Sequence, residues 1–556
     1  MNRGALRFLF VIIFFVHSAF AQAPVKVIVH TDSPGYAVPA TFVGLGFETL
    51  TVIPDSYGRH GYFFSPENKQ LITLFRNAGI KHIRVGGGTV DGSGTSEHCV
   101  TPTPNFKDID NLFLFARAAG IKVIYSVRLE NLASCPNPKL PEDDARIVRY
   151  IWQKYRANID SFAIGNEPDV PGFHTRPGRV VDAAIYETKP GSIGSAYPSY
   201  IAEWKKYAAV IHKAVPGAKF SGPDTGSGLD HKGTHTPNSE GVSWTQAFVD
   251  DVRGSGMLTA GLQHLYVWGR PSDQTAQEAI DAMLSSAWDE DPPEGKPQWY
   301  RGGPGGYLAY PYVFKTALAK LVDEGVPYRM TEANDCLRGV HGASDGFAAA
   351  LWALDFMHWW AAHHMAGVNF WNKPGLPTDT IFPVPDPTSC DSSGCGNYRV
   401  TPKALGMKAF SLGSHGFEEP ITLGNPDRIN LTAYAIGTAQ ELYVTVINKT
   451  HTTTHDATDA RVEIDASGFD GAQVETMVLT DGEPGNGALM TGTLGGSGIS
   501  SNAPWAGKWS PAGRVQAGKT SISVQSTTAA IVRIRRPKES RVGRSAKSSA
   551  ATDLFR

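Results

Sequence analysis

The sequence predicts an α/β protein, a TIM (β/α)8 barrel carrying a C-terminal antiparallel β-sandwich. Two observations predict it. Between about residues 44 and 372, short apolar strands alternate with amphipathic helices eight times, the pattern of a parallel sheet closed by helical crossovers. Past residue 413 the texture changes to Thr- and Val-rich alternation punctuated by Gly, Asn and Asp, the pattern of packed antiparallel strands.

The eight strands read GLGFET (44–49), HIRVGG (82–87), KVIYSV (122–127), SFAIGN (161–166), KFSGPD (219–224), LQHLYVW (262–268), YRMTEA (328–333) and GVNFWN (367–372). Between them, QLITLFRNAG, IDNLFLFARAAG, DARIVRYIWQKY, YIAEWKKYAAVIHKA, FKTALAKLVDEG and FAAALWALDFMHWWAAHH repeat apolar residues at helical spacing, and several end in Gly. Their His and Trp residues, His358, His363 and His364 among them, read as packing. The sandwich strands are LTAYAIG, ELYVTVINKT, ARVEID, AQVETMVLT, TSISVQ and AAIVRIRR, and the early VKVIVH shares their character. The expected units are therefore a catalytic barrel over 44–412 and a sandwich built from 24–43 plus 413–536. The segment between the sixth strand and residue 312 is long for a connection, which marks it as functional; Trp268, Trp299 and Tyr307 are its candidates for stacking on a sugar, or for packing it.

Arg3 and Arg7 precede the apolar run FLFVIIFFV, and Ala19-Phe20-Ala21 follows, so residues 1–21 read as a secretory signal. No later segment offers the ~20 apolar residues of a membrane span. The expected product is secreted or periplasmic, with no stable membrane insertion after cleavage. A net charge of −2 argues against a nucleic-acid partner. The tail 537–556, containing RVGRSAKSS, has the composition of a solvated, disordered end. None of the five cysteines has zinc-site spacing; Cys390 and Cys395 flank DSSG and could close a hairpin, and Cys99 could pair with Cys135, leaving Cys336 over.

The chemistry is expected at the C-terminal ends of the strands, which line the cup of such a barrel. The fourth strand runs straight into Asn166, Glu167 and Pro168, and Pro168 cannot donate a ladder bond, so it stops the strand and holds its neighbour extended. Glu332, in YRMTEAND, is read at the end of the seventh strand. Two carboxylates in one cup suit glycoside hydrolysis, one protonating the leaving oxygen and the other attacking the anomeric carbon, and an amide beside the acid can bind the sugar 2-hydroxyl. A solvated loop acid or a structural ion pair is the bland reading of either Glu alone. No metal-ligand cluster is visible, and no metal or organic cofactor is expected. RVGGGTVDG lacks both the GxGxxG spacing and a P-loop Lys, which disfavours a nucleotide site.

Asn166-Glu167-Pro168 and Glu332 resemble the acid/base and nucleophile signatures of the retaining clan-A glycoside hydrolases. HIRVGGGTVDG, HLY, and TEANDC followed by SDGFAAALWALDF resemble more narrowly glycoside hydrolase family 79, the β-glucuronidase and heparanase-like enzymes. The likeness covers the barrel and, more weakly, the sandwich. It implies a carbohydrate substrate, Glu167 as acid/base, Glu332 as nucleophile and Asn166 at the 2-hydroxyl. It also implies that Tyr266 orients the nucleophile beside His264, and that Glu48 and Asp91 contact sugar hydroxyls, though a structural role is an equal reading for Glu48, Asp91 and His264. The family holds a uronate carboxylate with a tyrosine and a glycine after the nucleophile; here Gly339 is retained, but Leu337 stands at the tyrosine position, and Arg338, Arg270 or Lys373 would have to supply charge instead. The readings are thus a retaining, exo-acting β-glucuronidase-like enzyme, a retaining β-glycosidase on a neutral sugar, or a non-catalytic carbohydrate-binding barrel.

Overall fold

The computed structural model describes residues 22–91, 103–129, 141–169, 197–226, 243–268, 275–285, 309–452, 457–482, 485 and 487–537. Eight strands close a parallel barrel in chain order: Val43–Glu48, His82–Gly86, Lys122–Val127, Ile159–Ile164, Phe220–Thr225, Leu258–Trp268, Tyr328–Cys336 and Gly367–Trp371. The eighth pairs with the first, Val368 beside Val43 and Trp371 beside Gly46, so the sheet has no edge. Alternation along each strand sorts the side chains. In the third, Val123 and Tyr125 turn outward into the large core shared with the helices, while Ile124 meets Ala163 and Leu262 inside the barrel.

The predicted barrel holds, with two strands longer than expected. The sixth begins at Leu258, and the seventh runs on through Asn334 and Asp335 to Cys336, because these two strands stay paired from Gly261–Tyr328 to Trp268–Cys336. Glu332 therefore lies within its strand, not at its end.

The helix Phe106–Ala119 shows how sequence sets the crossovers. Asn105 accepts from the N–H groups of Lys107 and Asp108, Asp108 returns the bond in a capping box, and Ile109, Leu112, Phe113 and Ala116 bury one face. The expected helix FKTALAKLVDEG is instead Tyr310–Val313, a π turn over Phe314–Leu318, and Ala319–Asp323. Trp244–Val252, Ala276–Met283 and Lys403–Gly413 are further helices that the sequence reading did not identify. Ala276–Met283 lies within the segment read as a long loop, and its Thr275–Glu278 capping box was legible. Residues 269–274 and 286–308 of that segment, with Trp299, Tyr307 and Arg270, lie outside the described residues. So do residues 1–21, most of the tail, and the Cys99–Cys135 pairing. Cys390 and Cys395 form a disulfide, and Cys336 is free and buried. No helix among the described residues is long and apolar enough to cross a membrane.

Two further sheets pack face to face. One, in the order Ile421–Gly424, Val25–Val29, Ala460–Asp465 and Lys519–Val524, contains a parallel pair, Val25–Val29 with Ala460–Asp465, so the sandwich is not wholly antiparallel. The other runs Phe417–Glu419, Leu431–Gly437, Glu441–Asn448, Thr528–Arg535 and Gln473–Thr480, the last also pairing with Thr493–Leu494 and Ser510–Arg514. Leu442, Val444 and Val446 face the first sheet, whereas Tyr443 and Ile447 join the barrel's core. With both faces covered, Glu441–Asn448 is buried almost throughout. Across this second face, Asp355 of the helix Ala348–Ala362 accepts from Lys449 Nζ at 2.9 Å, Thr432 at 2.7 Å and Tyr434 at 2.8 Å.

Candidate active site

Four strands aim carboxylates at one point. After Ile164 the chain turns so that Glu167 adopts φ 46°, a conformation costly for a side-chain-bearing residue and held by its N–H donating to the Asp224 carbonyl at 2.9 Å. Asp224, at the end of the fifth strand, has φ 67°. Glu332 lies opposite His264 in the pairing of the seventh and sixth strands. Glu48 closes the first strand and accepts from the Thr89 N–H at 2.9 Å and its hydroxyl at 2.8 Å. Gly87 makes this approach possible, since a Cβ there would fall 2.5 Å from Glu48 Oε2.

Glu332 is gripped at both oxygens: Arg84 Nη1 donates to Oε1 at 2.7 Å and the Tyr266 hydroxyl to Oε2 at 2.7 Å. Glu167 Oε1 lies 2.8 Å from His264 Nδ1. The two glutamates and His264 each offer one atom such that all three atoms lie within 4.8 Å of one another. Glu167 is the more open, its side chain 20% exposed against 6% for Glu332.

Arg84 and Asp224 complete the site, and the sequence reading assigned a role to neither. Arg84, fully buried, also donates from Nη2 to Asn166 Oδ1 at 2.5 Å and to Asp224 Oδ2. Asp224 Oδ1 accepts from the Thr331 hydroxyl and faces His264 Nε2 at 3.1 Å. Both residues left a signal: Arg84 interrupts an apolar strand that the barrel buries, where a charge must find partners, and Asp224 follows Pro223 at a strand end much as Glu167 follows Asn166.

The charges are mutually determined. Burial opposes ionisation of Asp224, but Arg84, His264 and Thr331 override it and hold the carboxyl well below the usual carboxylate range. Burial likewise opposes charge on His264, yet Glu332 and Asp224, with hydrogen bonds to Asp224 and Glu167, push it up to about 10. Burial, then the charge of Glu332, raises Glu48. Burial and the neighbouring carboxylates lift the Tyr266 hydroxyl well above its ordinary value. Glu167, His264 and Glu332 have the spacing a metal ion would need. An imidazolium, however, has no lone pair to give, and Arg84 and Tyr266 already occupy Glu332.

The remaining predicted residues divide. Asn166 belongs to the cup. Its Oδ1 is taken by Arg84, which leaves its Nδ2 donors for a ligand. Asp91 is 1% exposed, and its oxygens receive the N–H groups of Leu129 at 2.9 Å and Asn166 at 3.0 Å, bonds that suit the structural one of its two readings. Gly339 has φ 75°, and a Cβ there would lie 2.5 Å from the Thr378 nitrogen. The Arg338 side chain is exposed and Leu337 half-buried. The Lys373 ammonium stands 5.5 Å from the centre of the Trp371 ring, which meets the Tyr266 ring edge-on.

No protein-family model and no curated protein matches this chain. Solved structures do. A 4-O-α-L-rhamnosyl-β-D-glucuronidase from Fusarium oxysporum 12S superposes with a TM-score of 0.61 at 14% identity, over 91% of this chain and 99% of that one. A family 51 arabinofuranosidase from Xanthomonas axonopodis pv. citri gives 0.59 at 14%, over 92% and 100%. A monomeric β-xylosidase from Caulobacter crescentus CB15 gives 0.52 at 15%, over 93% and 100%. At such identities the likeness shows a shared fold.

Proposed function

We propose that this chain is a retaining β-glycoside hydrolase. The observation that carries the reading is the triad of Glu167, His264 and Glu332 atoms within 4.8 Å of one another, at the mouth of a barrel whose structural neighbours are glycoside hydrolases. Retaining enzymes keep their carboxyl groups about 5 to 5.5 Å apart, whereas inverting ones leave about 6.5 to 9.5 Å for a water. Glu332, deeper and held at both oxygens, attacks the anomeric carbon. Glu167, more open to the leaving group and to incoming water, protonates the glycosidic oxygen and then takes a proton from water as the covalent intermediate is hydrolysed. The Asn166 amide binds the 2-hydroxyl. The barrel over 44–412 is the catalytic unit, the segments 24–43 and 413–536 support it, and the Arg-flanked apolar N-terminus directs export.

The substrate reading is an exo-acting, β-glucuronidase-like specificity, supported by the family 79 motifs and by the glucuronidase among the neighbours. A neutral sugar is the second reading, favoured by Leu337, which has no hydrogen-bond donor to offer a uronate. Matched aryl β-glucuronides and β-glucosides, with proton NMR of the first-formed sugar, test both levels. A β-configured first product is expected, and an inverted one rejects the mechanism. A kcat/KM ratio favouring the glucoside rejects the uronide alone.

A further inference from the structure

The candidate mechanism uses the two glutamates, Asn166 and Tyr266, and leaves Asp224 without a role. Yet Asp224 is fully buried, adopts a left-handed backbone, and takes hydrogen bonds from three other strands: Arg84 on the second, His264 on the sixth and Thr331 on the seventh. A purely structural acid has no need to reach the ring that touches Glu167. We propose that Asp224 is a positioning residue that acts through His264. It fixes the imidazole as a doubly protonated cation, with Nε2–H donating to Asp224 and Nδ1–H donating to Glu167, between the two catalytic carboxylates.

The geometry suits two protons. His264 Nε2 lies 3.1 Å from Asp224 Oδ1 and Nδ1 lies 2.8 Å from Glu167 Oε1, so Nε2–H donates to the aspartate and Nδ1–H donates to a Glu167 oxygen that can accept both before and after Glu167 gives up its proton, whereas a neutral ring bonded to Asp224 would turn a bare lone pair on the Glu167 anion. The ring is fully buried, and Nδ1 is also 3.7 Å from Glu332 Oε2. Among the described residues, the charged groups within ion-pair distance of it are Glu167, Asp224 and Glu332, with Arg84 bridging the last two. The shift of His264 up to about 10 agrees with this arrangement.

The consequence follows from the reaction's charge changes. When Glu167 gives its proton to the leaving oxygen it becomes an anion in a low-dielectric cup, and the imidazolium is already in place to receive that charge. When Glu167 next takes a proton from water, the imidazolium keeps its own. His264 thus neither donates nor accepts a proton over the cycle. Asp224 and Arg84 form the complementary pair that keeps the buried cation from being isolated.

This inference rests on the glycosidase reading for its kinetic consequence but not for its direct test. In protein labelled with 15N-histidine, the His264 signals, assigned by their loss in His264→Gln, should show both nitrogens protonated at pH 8; a neutral tautomer there overturns the proposal even if Asp224 variants do not fold. In Asp224→Asn the ring should become neutral by pH 8, and kcat/KM should fall at least tenfold more at pH 8 than at pH 5. A loss equal at all pH values would make Asp224 merely structural. Thr331→Val, which removes a different donor from the same oxygen, should leave the shape of the pH profile unchanged; a distorted profile there also contradicts the assignment. Correct histidine spectra without glycosidase activity would reject the functional reading and leave the charge arrangement standing.

Discussion

Tyr266→Phe isolates one hydrogen bond in the cup, and its effect can be worked out in advance. The substitution removes a buried hydroxyl that donates to Glu332 Oε2 at 2.7 Å and keeps the ring against Trp371. A hydrogen bond to a charged group is worth about 1.5–3 kcal/mol, or roughly 10- to 150-fold in a rate if fully expressed. The two chemical steps express it differently. In glycosylation Glu332 loses charge as it attacks, so the bond weakens and its removal is partly offset. In deglycosylation Glu332 departs as a carboxylate, and the bond strengthens on the way. Deglycosylation should therefore slow more, roughly 10- to 150-fold at most, and the glycosyl-enzyme should accumulate. With a dinitrophenyl glycoside, stopped-flow absorbance should show a burst of one equivalent, a lower kcat and a lower KM, with kcat/KM changed far less than kcat. The melting temperature should stay within a few degrees, because the exchange preserves volume. If no burst appears and kcat/KM falls in step with kcat, then Tyr266 does not act on the departing carboxylate and its assigned place in the mechanism is wrong.

Glu332→Ala should nearly abolish turnover of every substrate, whereas Glu167→Ala should spare activated aryl glycosides, which need little protonation; equal losses on both substrate types would contradict the roles. Leu337→Tyr should raise the glucuronide-to-glucoside ratio of kcat/KM a few-fold and up to about tenfold, the yield of one neutral hydrogen bond, and an unchanged ratio would place the C6 group elsewhere. Stability should decline on both sides of neutrality. His264, raised to about 10 in the fold, contributes stability below pH 6.5 that is lost as pH climbs towards 10, and His82, lowered to about 4 by burial and by Arg329, penalises folding as pH falls from 6.5 towards 4. Melting curves across this range, with His264→Gln flattening the alkaline limb, check the sign; an alkaline limb as steep in the variant would show that His264 is not its source.

The barrel was legible because burial on both faces makes its strands near-continuous apolar runs and because the crossovers carry helical periodicity and caps. Glu167 was legible because Asn166-Glu167-Pro168 breaks an apolar run, although the strand already ends at Ile164 and Glu167 takes φ 46° instead of the extended backbone expected before Pro168. The lateral extent of pairing was not, since it depends on the neighbouring strand: the seventh strand passes Glu332 only because the sixth accompanies it. For Asp91 the resemblance implied a sugar contact and a structural role was an equal reading; the N–H groups of Leu129 and Asn166 that bond its oxygens are a demand visible only once the loops are adjacent. Val25–Val29 has the alternation of a sandwich strand, and nothing in that alternation states that its neighbour Ala460–Asp465 runs parallel to it.

The site's charge balance connects these residues to the substrate question. Among the described residues, Glu48, Glu167, Asp224 and Glu332 bring carboxyl groups to the cup, and the buried cations Arg84 and His264 are bonded to three of them. The Glu332 carboxylate favours the positive charge that develops at the anomeric carbon as the leaving group departs. The same carboxylate repels a substrate anion brought close to it: at an effective dielectric constant of about 20, two like charges 4 Å apart cost about 4 kcal/mol. A uronide is therefore expected to bind with its carboxylate turned away from Glu332. Among the described residues, Lys373, beside Trp371, is a cation whose charge acts on Glu48. Substitution at Lys373 and at Leu337, read against matched acidic and neutral sugars, tests whether either position distinguishes the two substrates.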